Sequence, residues 1–222
     1  LPRLWSAQGV STGRAEGDMG HGGAYVHSVS PEVEARRRTV VDRPWTWLRQ
    51  VHGNRVVRVT SPGEGAGEVA DAAVCATAGC AIAILSADCA PVVFDSPEGV
   101  FAVAHAGWVG LTNGVLERTV DEMRVLGATE IGAVLGPCVG VECYEFGPDD
   151  LDRVALRLGD IVRGCTPSGA PALDMAAAVG AALHRVGVGP LHDVGICTAC
   201  SPDHYSWRSR GEQQRQATVV WR

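Results

Sequence analysis

Between residues 80 and 105 the chain runs through three short apolar segments, 80–85, 91–95 and 100–105, rich in Ile and Val and bounded by Ser, Asp, Pro and Gly. No helix fits in the gaps between them. The segments must therefore be antiparallel neighbours or members of a mixed sheet, which excludes a repeated βαβ array. Residues 47–51 and 55–60 read as strands on either side of His52-Gly53-Asn54, and 131–135, 191–196 and 217–221 as further strands. Helices are expected at 31–38, and after a cap at Thr112 or Asn113, with Leu116, Val120 and Met123 on one face and a stop at Gly127. Two more are expected at 148–158, with Leu151, Val154 and Leu158 aligned, and in the Ala-rich stretch that Asp174 would cap, to about residue 186. The class is α+β: a single domain over 1–222 with mixed, largely antiparallel sheets flanked by helices, whose first 44 residues are irregular.

A net charge of −6 gives no electrostatic footprint for a nucleic acid. Every basic residue is Arg, so lysine Schiff-base chemistry is excluded. No apolar run reaches the roughly 20 residues of a membrane span, and the opening LPRLWSAQGV lacks a leader pattern. A cytoplasmic protein without a membrane partner is expected, as a monomer or weak homo-oligomer. Its eight cysteines then read as thiols or metal ligands rather than disulfides. Cys197 and Cys200 have CxxC spacing, but a structural zinc would need a second pair, so Cys200 reads as incidental.

Three turns of polar and small residues carry the candidate chemistry. They are Gln50-Val51-His52-Gly53-Asn54, Ser86-Ala87-Asp88-Cys89-Ala90-Pro91 and Val103-Ala104-His105-Ala106-Gly107-Trp108. If they meet at one edge of a sheet, His52, Cys89 and His105 form a His₂Cys set that suits Zn²⁺ and leaves a fourth position for water or substrate. Copper also fits such a set. Asp88 would then orient a ligand or carry a proton. The bland alternative, hydrogen-bonded structural histidines and an inert buried thiol, stays open on spacing alone.

The segments QVHGNRV at 50–56, SADCAPVVFDSPEGVFAVAHAGWVG at 86–110, LGPCVGVECYEFG at 135–147 and CTACSPDHYSWRSR at 197–210 resemble the laccase-domain, or multicopper polyphenol oxidoreductase, family. The family is also called peptidoglycan editing factor and is related to broad-specificity purine nucleoside phosphorylases. The resemblance runs from about residue 45 to 222. It implies packed sheets, metal ligands at His52, Cys89 and His105, and a zinc enzyme acting on purine nucleosides with phosphate, or deaminating adenosine. The catalytic residues would be Cys89, Asp88 and His105, and Arg14, Asn54, Tyr205, Arg208 and Arg215 are candidate substrate contacts. Val109 stands where the family usually has Arg, and no clear RGG-type loop occurs in STGRAEGDMGHGG at 11–23, where Arg14 is the candidate to take its place. Arg208, Arg210 and Arg215 are candidate replacements for the lost anion contacts, and Arg210 reads better as a surface ion pair. Other readings are a cysteine hydrolase editing peptidoglycan precursors (Cys89 nucleophile, His105 base), a laccase-like polyphenol oxidase, and a binding paralogue without turnover.

Overall fold

The structure is a computed structural model that describes residues 5–20, 29–189 and 191–222. His21, in the 11–23 segment, lies outside them. In chain order the elements are β1 (Gln8–Ser11), α1 (Pro31–Val40), β2 (Trp45–Arg49), β3 (Val56–Val59), β4 (Glu68–Val69), β5 (Ala72–Cys75), β6 (Ala81–Ser86), β7 (Ala90–Asp95) and β8 (Phe101–Ala106). There follow α2 (Trp108–Thr112), α3 (Val115–Val125), β9 (Gly132–Leu135), α4 (Pro148–Leu158), β10 (Arg163–Cys165), β11 (Pro171–Leu173), α5 (Met175–Arg185), β12 (Leu191–Asp193), α6 (Trp207–Arg210) and β13 (Gln216–Trp221). The class is α+β, as expected.

A six-stranded sheet runs β12-β9-β7-β8-β5-β3, and a five-stranded sheet runs β1-β13-β6-β2-β4. The central strands β6, β7 and β8 are buried along their whole length because both faces of each sheet are covered there. In β8, Phe101 and Val103 point into a core shared with Ile82, Ile84, Leu48 and Val220 of the other sheet. Ala102 and Ala104 point the opposite way, into a core with Leu111, Leu116, Val120 and Met123 from the helices. In β6, Ile82 and Ile84 face the shared core, while Ala81, Ala83 and Leu85 join Met19, Trp45 and Val219 on the outer side. The order is thus helices, sheet, sheet, with Met19 and Val41 among the cover of the last face.

Two sequence expectations change, and the strands that flank His52 part into different sheets. Strands β2 and β3 do not pair around His52. β2 lies parallel to β6 in one sheet and β3 parallel to β5 in the other. The chain crosses between sheets at His52, because each strand buries its apolar set against a different partner. Likewise β7 and β8 are antiparallel neighbours, but β6 belongs to the other sheet, so 87–89 is a second crossing. Finally, Thr112 ends α2 and Asn113 follows it. Helix α3 starts instead at Gly114, whose φ of 80° lets the chain break and restart without a side-chain cap. The Asp174 cap forms, its side chain accepting the Ala177 N–H.

Candidate metal centre

The two inter-sheet crossings and the end of β8 meet at one place. They bring donor atoms of His52, Cys89 and His105 within 4.8 Å of one another. Cys89 Sγ lies 3.7 Å from His52 Nε2. The two imidazole rings stand edge to face with centroids 4.8 Å apart. Among the described residues other than glycine, only His52 (φ 58°) and Asp88 (φ 98°) have positive φ. Both sit at the crossings, where the chain must turn within a few residues and neighbouring contacts hold the strained backbone.

The contact that holds the His52 crossing is Asp71, fully buried at the start of β5. Its Oδ2 accepts the N–H groups of Val51 (3.1 Å) and Gly53 (2.8 Å). Its Oδ1 accepts the His52 N–H (2.9 Å) and pairs with His105 Nδ1 (2.8 Å). One carboxylate therefore shapes the turn of one ligand and orients the ring of another, leaving Nε2 of His105 for a metal. Sequence reasoning passed over Asp71. Its signal was a lone acid opening an apolar strand. Gln50 makes a parallel tie, exchanging two hydrogen bonds with the backbone of Leu85 (2.6 and 2.7 Å), so the first two crossings are clamped together.

The electrostatics match a thiolate ligand. Burial pushes the Cys89 thiol up, but His105 and then His52 outweigh it and bring it down to about 6. Burial lowers His105, while the Cys89 charge and the Asp71 carboxylate raise it to about 9. Burial raises Asp71, yet His105 and the N–H groups of Gly53 and Val51 hold it below its ordinary value. A cation that takes both the Cys89 and His105 donors displaces their protons. Below pH about 6 it displaces two, and between about 6 and about 9 only that of His105. Apparent zinc affinity, titrated against a chromophoric chelator, should therefore rise about tenfold per pH unit over the upper window. It should rise more steeply below that window and level off above it, and a flat profile would contradict coordination by these two groups.

Gly107 leaves the space the donors need. A Cβ there would lie 2.5 Å from His52 Cδ2, 3.2 Å from His52 Nε2 and 3.3 Å from Cys89 Sγ. Its φ is −70°, so alanine meets no backbone obstacle and the conflict is purely steric. Gly107→Ala should weaken zinc binding by about 10- to 100-fold, comparable to losing an outer partner of a ligand, with the fold intact by circular dichroism.

The donors open onto a cavity of about 780 Å³ lined by Asp18, Gln50, Ser86, Trp207 and Arg215 among others. Of the proposed substrate contacts, only Arg215 lies on this wall. Its Nη1 donates to the carbonyls of residues 212, 213 and 214. Arg14 pairs with Glu212 and lies over the Tyr205 ring, whose residue is buried, and Arg14 itself borders a separate, smaller cavity. Asn54 donates to the Asn113 carbonyl. Arg208 lies over the Tyr144 ring, 4.9 Å from its centroid. Arg210 is spent on the carbonyls of Thr198, Ala199 and His204 and on Glu212. Ser206 caps α6, accepting the Ser209 N–H, and Trp207 opens that helix on the cavity side. Both oxygens of Asp88 are engaged, by the Thr198 hydroxyl (2.6 Å) and the Arg208 N–H (2.6 Å), so this carboxylate pins the 198–208 loop behind Cys89. Cys200, read as incidental, lies 3.3 Å from Cys143, Sγ to Sγ.

Known proteins are similar to this chain in sequence and in fold. A Streptomyces coelicolor protein named purine nucleoside phosphorylase is 40% identical over 86% of this chain and 80% of its own length. A Pseudomonas aeruginosa protein of the same name is 36% identical over 90% of this chain and 84% of its own. The crystal structure of YlmD from Geobacillus stearothermophilus superposes with a TM-score of 0.83 at 25% identity, covering 100% of this chain and 94% of that one. That of NMB0706 from Neisseria meningitidis gives 0.78 at 30%, covering 96% and 90%. Residues 7–222 match the family described as multi-copper polyphenol oxidoreductase laccase, and the chain belongs to that family.

Proposed function

We propose that this chain is a zinc-dependent purine nucleoside enzyme that cleaves adenosine, inosine or methylthioadenosine by phosphorolysis and deaminates adenosine. The observation that carries this reading is the convergence of His52, Cys89 and His105 on a cavity of small-molecule size that also holds Trp207 and Arg215. Zinc held by the three donors would supply a Lewis acid with a fourth coordination position. Trp207, 54% exposed, offers an indole face on which a purine stacks. The Arg215 guanidinium supplies positive charge for phosphate on the same wall. In phosphorolysis a phosphate oxygen bonds to the anomeric carbon as the bond to the base nitrogen breaks, and the base leaves with a proton. Asp88, with both oxygens engaged, acts as a positioning residue for the Cys89 turn. The names of the Streptomyces and Pseudomonas relatives support the substrate class. One His₂Cys set does not supply the multinuclear copper array on which a laccase reduces dioxygen.

The test is chromatography of each nucleoside after incubation with zinc-loaded protein, with and without inorganic phosphate. Free base together with pentose 1-phosphate, formed only when phosphate is present, is the expected result. No base and no deaminated product from any of the three would overturn the reading. The lowered Cys89 thiol beside His105 favours a second reading, a cysteine hydrolase. Its turnover would survive chelation, whereas that of the zinc enzyme would not.

A further inference from the structure

A second cluster of donors lies outside the cavity, where the 138–144 and 196–201 segments meet. Hydrogen bonds fix their register. The Cys138 N–H donates to the Ile196 carbonyl (3.1 Å) and the Thr198 N–H to the Cys138 carbonyl (2.9 Å). A short 3₁₀ turn, Val141–Cys143, lifts Glu142 and Cys143 towards the Cys197-Thr198-Ala199-Cys200 turn. Donor atoms of Glu142, Cys143, Cys197 and Cys200 all lie within 4.8 Å of one another. Cys143 and Cys200 sulfurs are 3.3 Å apart, and Cys200 Sγ is 3.4 Å from Glu142 Oε1. A tetrahedral zinc with Zn–S bonds of about 2.3 Å needs sulfurs about 3.8 Å apart, so the four donors stand near the corners that ion requires.

Two further features suit a metal ion. Cys197 Sγ accepts the Gly140 N–H at 3.2 Å, a bond that stabilises a ligating thiolate. Gly140 also clears room for the carboxylate. A Cβ there would meet the Glu142 oxygens at 2.3 and 2.4 Å, although its φ of −78° asks nothing special of the backbone. A disulfide would use only two of the three sulfurs and would leave a third thiol and a carboxylate gathered for no purpose.

We propose that Glu142, Cys143, Cys197 and Cys200 hold a structural zinc ion, distinct from the metal of the cavity. Four protein donors close its coordination shell, and three soft thiolates select zinc over harder cations. Its position gives it work in the fold. Thr198, inside the CxxC turn, donates to Asp88, the neighbour of Cys89. Tyr144, next to Cys143, lies under the Arg208 guanidinium, and the Arg208 N–H donates to the same Asp88. The ion would staple the two segments that back the Cys89 turn.

Elemental analysis of protein purified under reducing conditions tests this independently of any activity. Wild type should carry two zinc ions per chain, Cys89→Ala one, Cys200→Ser one, and the double variant none. Should Cys200→Ser fail to fold, cobalt substitution of Cys89→Ala replaces it. Intense sulfur-to-cobalt charge-transfer absorption is expected there, because three thiolates remain. A zinc content that Cys200→Ser leaves unchanged, a Cys89→Ala protein without zinc or such absorption, or a Cys143–Cys200 disulfide found by mass spectrometry would overturn the proposal.

Discussion

Replacing Asp71 with asparagine should destabilise the protein by on the order of 3 kcal/mol and lower zinc affinity by at least about 10- to 100-fold. The carboxylate is fully buried and accepts four N–H groups, three from successive residues of the His52 turn and one from the His105 ring. Asparagine keeps the shape but turns one acceptor into a donor, so N–H would face N–H in a buried site. Both effects come from one change because Asp71 links two ligands. Denaturant unfolding of metal-free protein reads the first effect and competition with a chelator the second. The sign with pH follows from the lowered carboxylate. Its contribution is present above the unfolded value of about 3.9 and is lost as pH falls through the folded value. The gap between wild type and variant should therefore narrow in acid. A variant with ordinary stability and tight zinc would show that the His52 turn holds itself.

Cys89→Ser should abolish zinc binding at the cavity and all turnover that depends on it, a loss beyond the roughly 100-fold that removing an outer partner causes. A serine hydroxyl stays protonated where the Cys89 thiol is drawn down to about 6, so the site loses its anionic donor. The metal-free chain should lose some stability at neutral pH, because the thiolate that His105 and His52 stabilise is replaced by a neutral hydroxyl of nearly the same shape. Zinc content, unfolding and nucleoside turnover, measured on one preparation, separate the possible roles of the thiol. Retained zinc with lost turnover would mean that the sulfur acts as nucleophile rather than ligand.

Much of the local structure was legible in residues 80–105 and in the helix signals. Alternation of buried residues marks β8, Pro148 and the Leu151, Val154, Leu158 stripe mark α4, and Asp174 marks the start of α5. These features depend on neighbours a few positions away, and such information is present in any short window of sequence. Sheet membership is different. A strand buried on both faces reads the same whichever sheet it joins, so nothing in 47–60 says that the chain changes sheets at His52.

The same division holds at the site. His52, Cys89 and His105 stood out because each ends a strand among small residues. Gly107 shows what the small residues are for, since a single Cβ would press on two of the donors. Asp71 was silent because its partners are 18 to 34 residues away and most of them are backbone N–H groups, which leave no mark on composition. The cluster around Cys200 left no mark in the sequence because its neighbour, Cys143, comes from another loop 57 residues away. The sequence by itself determined that His52, Cys89 and His105 could bear metal chemistry and which of the longer apolar segments would be strand or helix. Only the tertiary structure decided that the donors fall into two clusters, that a buried carboxylate sets one of them, and that Trp207 and Arg215 share its cavity. Long-range convergence follows from how two sheets and a helix layer bury their apolar faces together, a property of the whole core rather than of any segment.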